Sequence, residues 1–252
     1  MQNNPLFYKE VVPLDRRRHA SLFLAPQPSY RYAATTNSVL LTVVEFPRAC
    51  REYPIVFASD AQTIFPLVVL GLRDTENLFV TREGKWDATY IPAYVRRYPF
   101  ILSSQPDSEN LTVCIDRAAA NLNTEDGIRM FENDQETDFM KGCVDFLKDF
   151  QNQYTITQQI CARLKDLNIL EPMQANIELN TGAKLNMGGF LAVNRRRLSE
   201  LPAEQLAGLV RDGILELIYL HIHSMENFTR LIERFTNRSP QDLANLPVGG
   251  NA

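Results

Sequence analysis

Residues 53–100, YPIVFASDAQTIFPLVVLGLRDTENLFVTREGKWDATYIPAYVRRYPF, decide the fold. Two apolar runs, residues 55–57 and 65–72, stand between Pro54, Asp60, Pro66 and a turn at residues 71–74. Short apolar runs bounded by such turn residues read as buried strands. The stretch then passes residues 78–80 and a turn at Glu83-Gly84. It enters a cluster of Trp86, Tyr90, Tyr94, Arg96, Arg97 and Tyr98 that leads into strand-like residues 99–102. Tyr and Trp bury an apolar body while keeping a polar tip, so the cluster reads either as the lining of a site or as the rim of a core. As a lining, aromatic planes and guanidinium forks suit a carbohydrate ring, a peptide carboxylate or an acidic protein surface. As a rim, one arginine would pair with an acid such as Glu45 or Asp116.

Upstream, Pro5 and Pro13 make residues 1–20 an extended arm carrying the cation run Arg16-Arg17-Arg18. His19 reads as a hydrogen-bonded structural histidine, with a titrating base as the alternative. A strand at 21–24 follows, then a Pro-rich spacer at 25–28. Residues 39–46 form a strand running into a helical turn at 47–52, and Glu45 at that junction reads as a cap of backbone amides, with a site-facing carboxylate as the alternative. Downstream, residues 99–103 and 111–116 form neighbouring strands across the polar run 105–110. The expectation is a mixed, mainly antiparallel sheet of about five or six strands within residues 20–116.

From residue 117 the pattern takes a helical period. Phe139, Cys143, Phe146, Leu147 and Phe150 stripe one amphipathic helix. Thr155-x-x-Gln158 reads as a capping box opening a second helix through Ile160, Cys161, Leu164 and Leu167. Residues 173–194 alternate short β-prone runs with turn residues, as a small inserted β-meander would. Helices at 202–211 and 214–235 close the fold, and residues 237–252 read as a mobile tail. The class is therefore α+β: one domain with a sheet-rich half, 20–116, and a helix-rich half, 117–236.

The 252 residues are 45% hydrophobic and 22% charged, which excludes wholesale disorder. A formal charge of −4 disfavours a nucleic-acid partner. The sequence shows neither a signal-peptide run nor the ~20 apolar residues of a transmembrane segment, so a cytoplasmic location is expected. The cysteines, at 50, 114, 143 and 161, lack a C-x-x-C pair and read as small core residues. On a strand His221-x-His223 would share a face and ligate a metal, but the helical period around them sets them on a helix, pointing apart. No nucleophile elbow accompanies Ser224 beside His221, and no phosphate-binding glycine motif or zincin motif is present, so no cofactor or metal is expected.

Several short motifs together carry a resemblance. They are Glu45-Phe46, Tyr53-Pro54-Ile55-Val56-Phe57, Leu70-Gly71-Leu72 and Asn77-Leu78-Phe79-Val80. Most specific is Gly84-Lys85-Trp86 leading into Tyr90-Ile91-Pro92-Ala93-Tyr94-Val95-Arg96-Arg97-Tyr98-Pro99-Phe100. With Val12-Pro13-Leu14-Asp15 and His19 upstream, and Cys114-Ile115-Asp116 and Gly189-Phe190 downstream, the chain resembles the bacterial SapC family over nearly its whole length. Glu132-Asn133-Asp134-Gln135-Glu136 departs from the family pattern, in which an acidic turn containing Gly follows Phe131. The resemblance implies a link to bacterial surface-layer or envelope-associated processes and brings no catalytic residues with it. The expectation is a non-enzymatic binding or accessory protein for a protein or carbohydrate partner, with Trp86, Tyr90, Tyr94, Arg96, Arg97, Tyr98 and His19 as binding residues and the oligomeric state open. The alternative is an enzyme acting on a peptide or glycan, with His19, Arg96 and a carboxylate in one cleft.

Overall fold

The computed structural model describes residues 5–25, 29–60, 62–104, 111–178 and 184–238. In chain order the elements are β1 (Val11–Pro13), β2 (Phe23–Leu24), β3 (Ser38–Leu40), α1 (Phe46–Ala49), β4 (Ile55–Ser59), β5 (Ile64–Val69), α2 (Ala93–Arg96), β6 (Phe100–Ser104), β7 (Leu111–Asp116), β8 (Leu122–Asn123) and β9 (Ile128–Arg129). There follow β10 (Phe131–Glu132), β11 (Gln135–Glu136), α3 (Asp138–Asp166), β12 (Leu170–Glu178), β13 (Lys184–Val193), α4 (Arg195–Ser199), α5 (Ala203–Arg211), α6 (Ile214–Ser224) and α7 (Asn227–Thr236). The fold is α+β. The expected turns at 105–110 and 180–182 and the tail beyond 238 lie outside the described residues.

The two runs that decide the fold pair with each other, Ile55 opposite Val68 through Ser59 opposite Ile64. They occupy the middle of a five-stranded sheet ordered β12-β13-β4-β5-β3. The strands at 100–104 and 111–116 do form a hairpin, but not in that sheet: β7 takes the N-terminal arm as its other neighbour, giving a separate sheet β1-β7-β6. Every strand pairing among the described residues is antiparallel, and the single mixed sheet expected for residues 20–116 is in fact divided among three antiparallel sheets, the third being β8-β2-β9. Alternation along a strand tells which face is buried and says nothing of which edge it will pair with.

The inserted meander is corrected in the same way. Residues 170–193 make one two-stranded hairpin with a bulge between Met173 and Ala175, and β13 joins the central sheet through Leu191 opposite Phe57. The two helices expected between 139 and 167 are one helix, α3. Its cap is Thr137, whose side chain accepts from the Met140 amide. Thr155 lies inside the helix, its Oγ1 donating to the Gln151 carbonyl four residues back, so the apparent capping box caps nothing. Conversely the long helix expected at 214–235 is divided. Ser224 Oγ donates to the His221 carbonyl and accepts from the Ile55 amide, and Asn227 Nδ2 donates to the Cys50 and Tyr53 carbonyls. These bonds tie α6 and α7 to β4 and α1, and i to i+3 bonds at Glu226, Phe228 and Thr229 tighten the junction.

The main core lies around the central sheet and α4–α7, with Tyr53, Phe46, Phe57 and Phe79 fully buried. A second core, Phe100, Ile115, Met130, Phe131, Met140 and Leu147, lies under the smaller sheet. One face of α3 serves both: Met140 and Leu147 enter the second core, Cys161 and Leu164 the first. All four cysteines are reduced, and burial pushes the Cys161 thiol up to about 12. Among the described residues, no helix is long and apolar enough to cross a membrane.

Candidate functional site

Two carboxylates fix the segment 84–100. Glu52 accepts from the Thr89 and Tyr90 amides. Glu45, buried at the entrance of α1, accepts from the Thr42 amide and hydroxyl on Oε2 and from the Ala93 amide and the Tyr90 hydroxyl on Oε1. It is a cap, as its place in the sequence suggests, and it caps both its own turn and the start of α2. The segment turns at Gly84, whose φ of 81° is a conformation that glycine adopts without strain.

On this backbone, Trp86 donates from Nε1 to the Tyr53 hydroxyl at 2.9 Å, and Tyr53 in turn donates to the Tyr90 carbonyl. The Trp86 ring meets Tyr30 edge-on at 5.7 Å and lies parallel to Phe79 at 6.3 Å. Tyr98 stacks on Tyr32 at 4.1 Å and donates to Asp116, a fully buried carboxylate that also accepts from the Lys9, Glu10 and Ala118 amides. Arg97 sits 3.9 Å from the Tyr94 ring centre and 4.9 Å from Phe150, with its buried Nε making no hydrogen bond. Burial pushes the phenols of Tyr53, Tyr90 and Tyr98 well above their ordinary value, and the negative charges of Glu45 and Asp116 push the last two further. They are hydrogen-bond donors fixed in place.

Arg96 differs from its neighbours in being exposed. Its Nε donates to the Ile91 carbonyl at 2.9 Å, and its guanidinium lies 4.9 Å from the centre of the Phe146 ring of α3 and 6.0 Å from that of Tyr90. Six of the seven residues named from the sequence thus share one aromatic region, in contact through Tyr30, Tyr32, Tyr53, Phe79, Phe146 and Phe150. His19 stands elsewhere, buried between β1 and β2, where its Nδ1 accepts from the Asp15 amide while Asp15 Oδ1 accepts from the Arg17 and Arg18 amides. Among the described residues no hydrogen bond, ion pair or ring contact joins His19 to Arg96.

His221 and His223 point apart on α6. His221 is buried, donating from Nδ1 to the Ile55 carbonyl and accepting at Nε2 from the Val193 amide. Burial pulls its pKa down to about 4 against the opposing hydrogen bond. His223 is exposed, in a shallow pocket with Cys50, Glu226 and Arg230.

The sequence pattern assigns no binding role to the residues of a second concavity, a groove of about 1140 Å³ between α7, residues 77–87 and Arg31. Its one legible signal is the four-residue spacing of Arg230, Arg234 and Arg238, the first two on α7 and Arg238 two residues past its end. Arg234 grips the Asp87 carboxylate at 2.6 Å and carbonyl at 2.9 Å above the Phe79 ring, and Arg238 donates to the Asn77 carbonyl.

Comparison with curated proteins and with solved structures found no match. The SapC family model matches residues 14–231, a span that takes in the central sheet, β6 and β7 of the smaller sheet, the aromatic segment and α7 as far as Leu231. The chain belongs to the SapC family.

Proposed function

We propose that this SapC-family chain is a non-enzymatic binding protein that engages an anionic group on a protein or carbohydrate partner through Arg96 and the aromatic segment beneath it. The observation that carries the reading is the bracing of an exposed guanidinium. Arg96 is held by a backbone carbonyl and two ring faces before any partner arrives, so contact costs it little side-chain entropy. In the same segment Trp86 and Tyr98 turn their polar atoms inward, to Tyr53 and Asp116, and Arg97 packs over the Tyr94 ring. The reading extends to a role in surface-layer or envelope-associated processes, for which membership of the SapC family is the support, with the protein acting from the cytoplasm, a location that cell fractionation checks.

The test is affinity capture from native cell extract with wild-type and Arg96→Ala protein, each checked by its melting temperature. Arg96→Ala should keep its melting temperature within a few degrees and lose at least about tenfold in capture, the effect of removing an interfacial arginine anchor. Unchanged capture by a folded Arg96→Ala protein overturns the reading. Trp86→Ala should instead lower the melting temperature, because it leaves the Tyr53 hydroxyl and the Phe79 face uncovered.

A further inference from the structure

We propose that the anion engaged by Arg96 is a phosphate monoester on a protein partner, as on a phosphoserine, and that Arg97 grips it together with Arg96. The inference rests on the reading above and adds to it the chemistry of the ligand and a second arginine. Both guanidiniums are mounted on α3: Arg96 lies 4.9 Å from the centre of the Phe146 ring and Arg97 4.9 Å from that of Phe150. Those phenyl residues are four apart on the helix, so they share a face and stand ~6 Å apart along its axis. Each guanidinium also meets a tyrosine ring, Arg96 that of Tyr90 at 6.0 Å and Arg97 that of Tyr94 at 3.9 Å. Two planar forks are thus held about one helical turn apart before any ligand arrives.

The acids that could neutralise the pair are engaged elsewhere. Glu45 is filled by the Thr42 and Ala93 amides and the Thr42 and Tyr90 hydroxyls, and Asp116 by three amides and the Tyr98 hydroxyl. Among the described residues neither Arg96 nor Arg97 is in an ion pair, and Asp145 and Asp149, which precede the two phenyl residues on α3, are exposed. Arg97 is half-buried with an enclosed Nε that makes no hydrogen bond, so its guanidinium is short of acceptors. A carboxylate carries one charge and matches one fork. A phosphate monoester carries about −1.5 to −2 at neutral pH on three acceptor oxygens, enough to serve both. The rings argue for a peptide rather than a sugar as its carrier, because they are already occupied: Trp86 with Tyr30 and Phe79, Tyr94 with Phe7 and Arg97, Tyr98 with Tyr8 and Tyr32. Recognition is left to the edges of the guanidiniums, and a phosphorylated side chain on a flexible peptide asks for nothing more.

The experiment measures fluorescence anisotropy of a labelled short peptide, Gly-Ala-phosphoserine-Ala-Gly, titrated with the full chain, beside the same peptide with Glu in place of the phosphoserine. Wild type should bind the phosphopeptide at least about tenfold more tightly than the Glu peptide. Arg96→Met and Arg97→Met should each weaken phosphopeptide binding about tenfold, while Arg195→Ala, an exposed arginine on α4, should stay within about twofold of wild type. Methionine keeps a side chain against the rings, so both variants should melt within a few degrees of wild type. Should Arg97→Met melt early, Arg97→Lys keeps the charge and loses the planar fork; it should cut the preference for the phosphopeptide about threefold, and an unchanged preference overturns the proposal. So do failure of wild type to bind the phosphopeptide, undiminished binding by Arg97→Met, and displacement by glucose 6-phosphate at lower concentration than by unlabelled phosphopeptide, which would put the phosphate on a sugar. A Glu peptide bound as tightly as the phosphopeptide and released by Arg96→Met overturns this inference alone and leaves the reading above standing, whereas unchanged capture by folded Arg96→Ala protein removes both.

Discussion

At His221 one imidazole joins three elements, because α6 carries the ring while β4 and β13 supply its acceptor and its donor. Replacing it with alanine leaves a carbonyl and an amide buried without partners, which should cost about 2–4 kcal/mol and shows directly as a lowered urea midpoint. The pH dependence has a definite sign. With the folded-state pKa held down to about 4 against an ordinary 6.5, the unfolded chain takes up the proton first as pH falls. This contribution to stability is complete above about pH 6.5 and is lost progressively towards pH 4. In His221→Ala the loss over that window should shrink, and urea midpoints at pH 7.5 and 4.5 measure both. Roles that depend on near neighbours in the chain were legible in the sequence. Glu45 three residues after Thr42 caps, and Ser224 three residues after His221 bonds back to it. The bracing of Arg96 was not, because Phe146 comes from a helix fifty residues further on.

Elements were legible where the polar residues respect the pattern. The strands at 55–59, 64–69 and 111–116 follow from β-branched runs between turn residues. The α3 stripe looked interrupted because Thr157, a polar residue, occupies its buried face; its hydroxyl donates to Gln153 and accepts from the Val43 amide, which makes the burial tolerable. The β10–β11 turn resolves the one departure from the family pattern. Asn133 and Asp134 both adopt positive φ, 50° and 62°, the backbone of a two-residue hairpin turn that Asn and Asp tolerate and glycine prefers. Asp134→Gly should therefore stabilise the protein by about 0.5–1 kcal/mol, raising the melting temperature by roughly 2 °C. Gly71→Ala should do the reverse and strongly, since a methyl group there would sit 2.0 Å from the Glu76 carbonyl oxygen; its soluble yield and melting temperature report the loss.

At the scale of the whole molecule, α3 spans about 43 Å and contributes to both hydrophobic cores. Asn152→Pro, at an exposed position between the two groups of buried residues, should cost about 3 kcal/mol or more. Hydrogen exchange should then show β6 and β7 losing protection while β4 and β5 keep theirs, and equal loss in both sheets would mean that they are coupled by other routes. The partition of the strands into separate sheets was not legible, because it depends on edges: β7 is closed by an arm from the N-terminus and β4 by a strand from the far end of the chain. That second closure bears on synthesis. β4 ends at Ser59, and the strand that covers its edge begins at Lys184, roughly 125 residues later. At ~5–20 residues per second the ribosome takes about 6–25 s to make that interval. Throughout it the nascent chain presents β4 with an unpaired, apolar edge, so a holding chaperone or slowed translation over this interval would raise the yield of native protein, and crowding of nascent chains on one message would lower it.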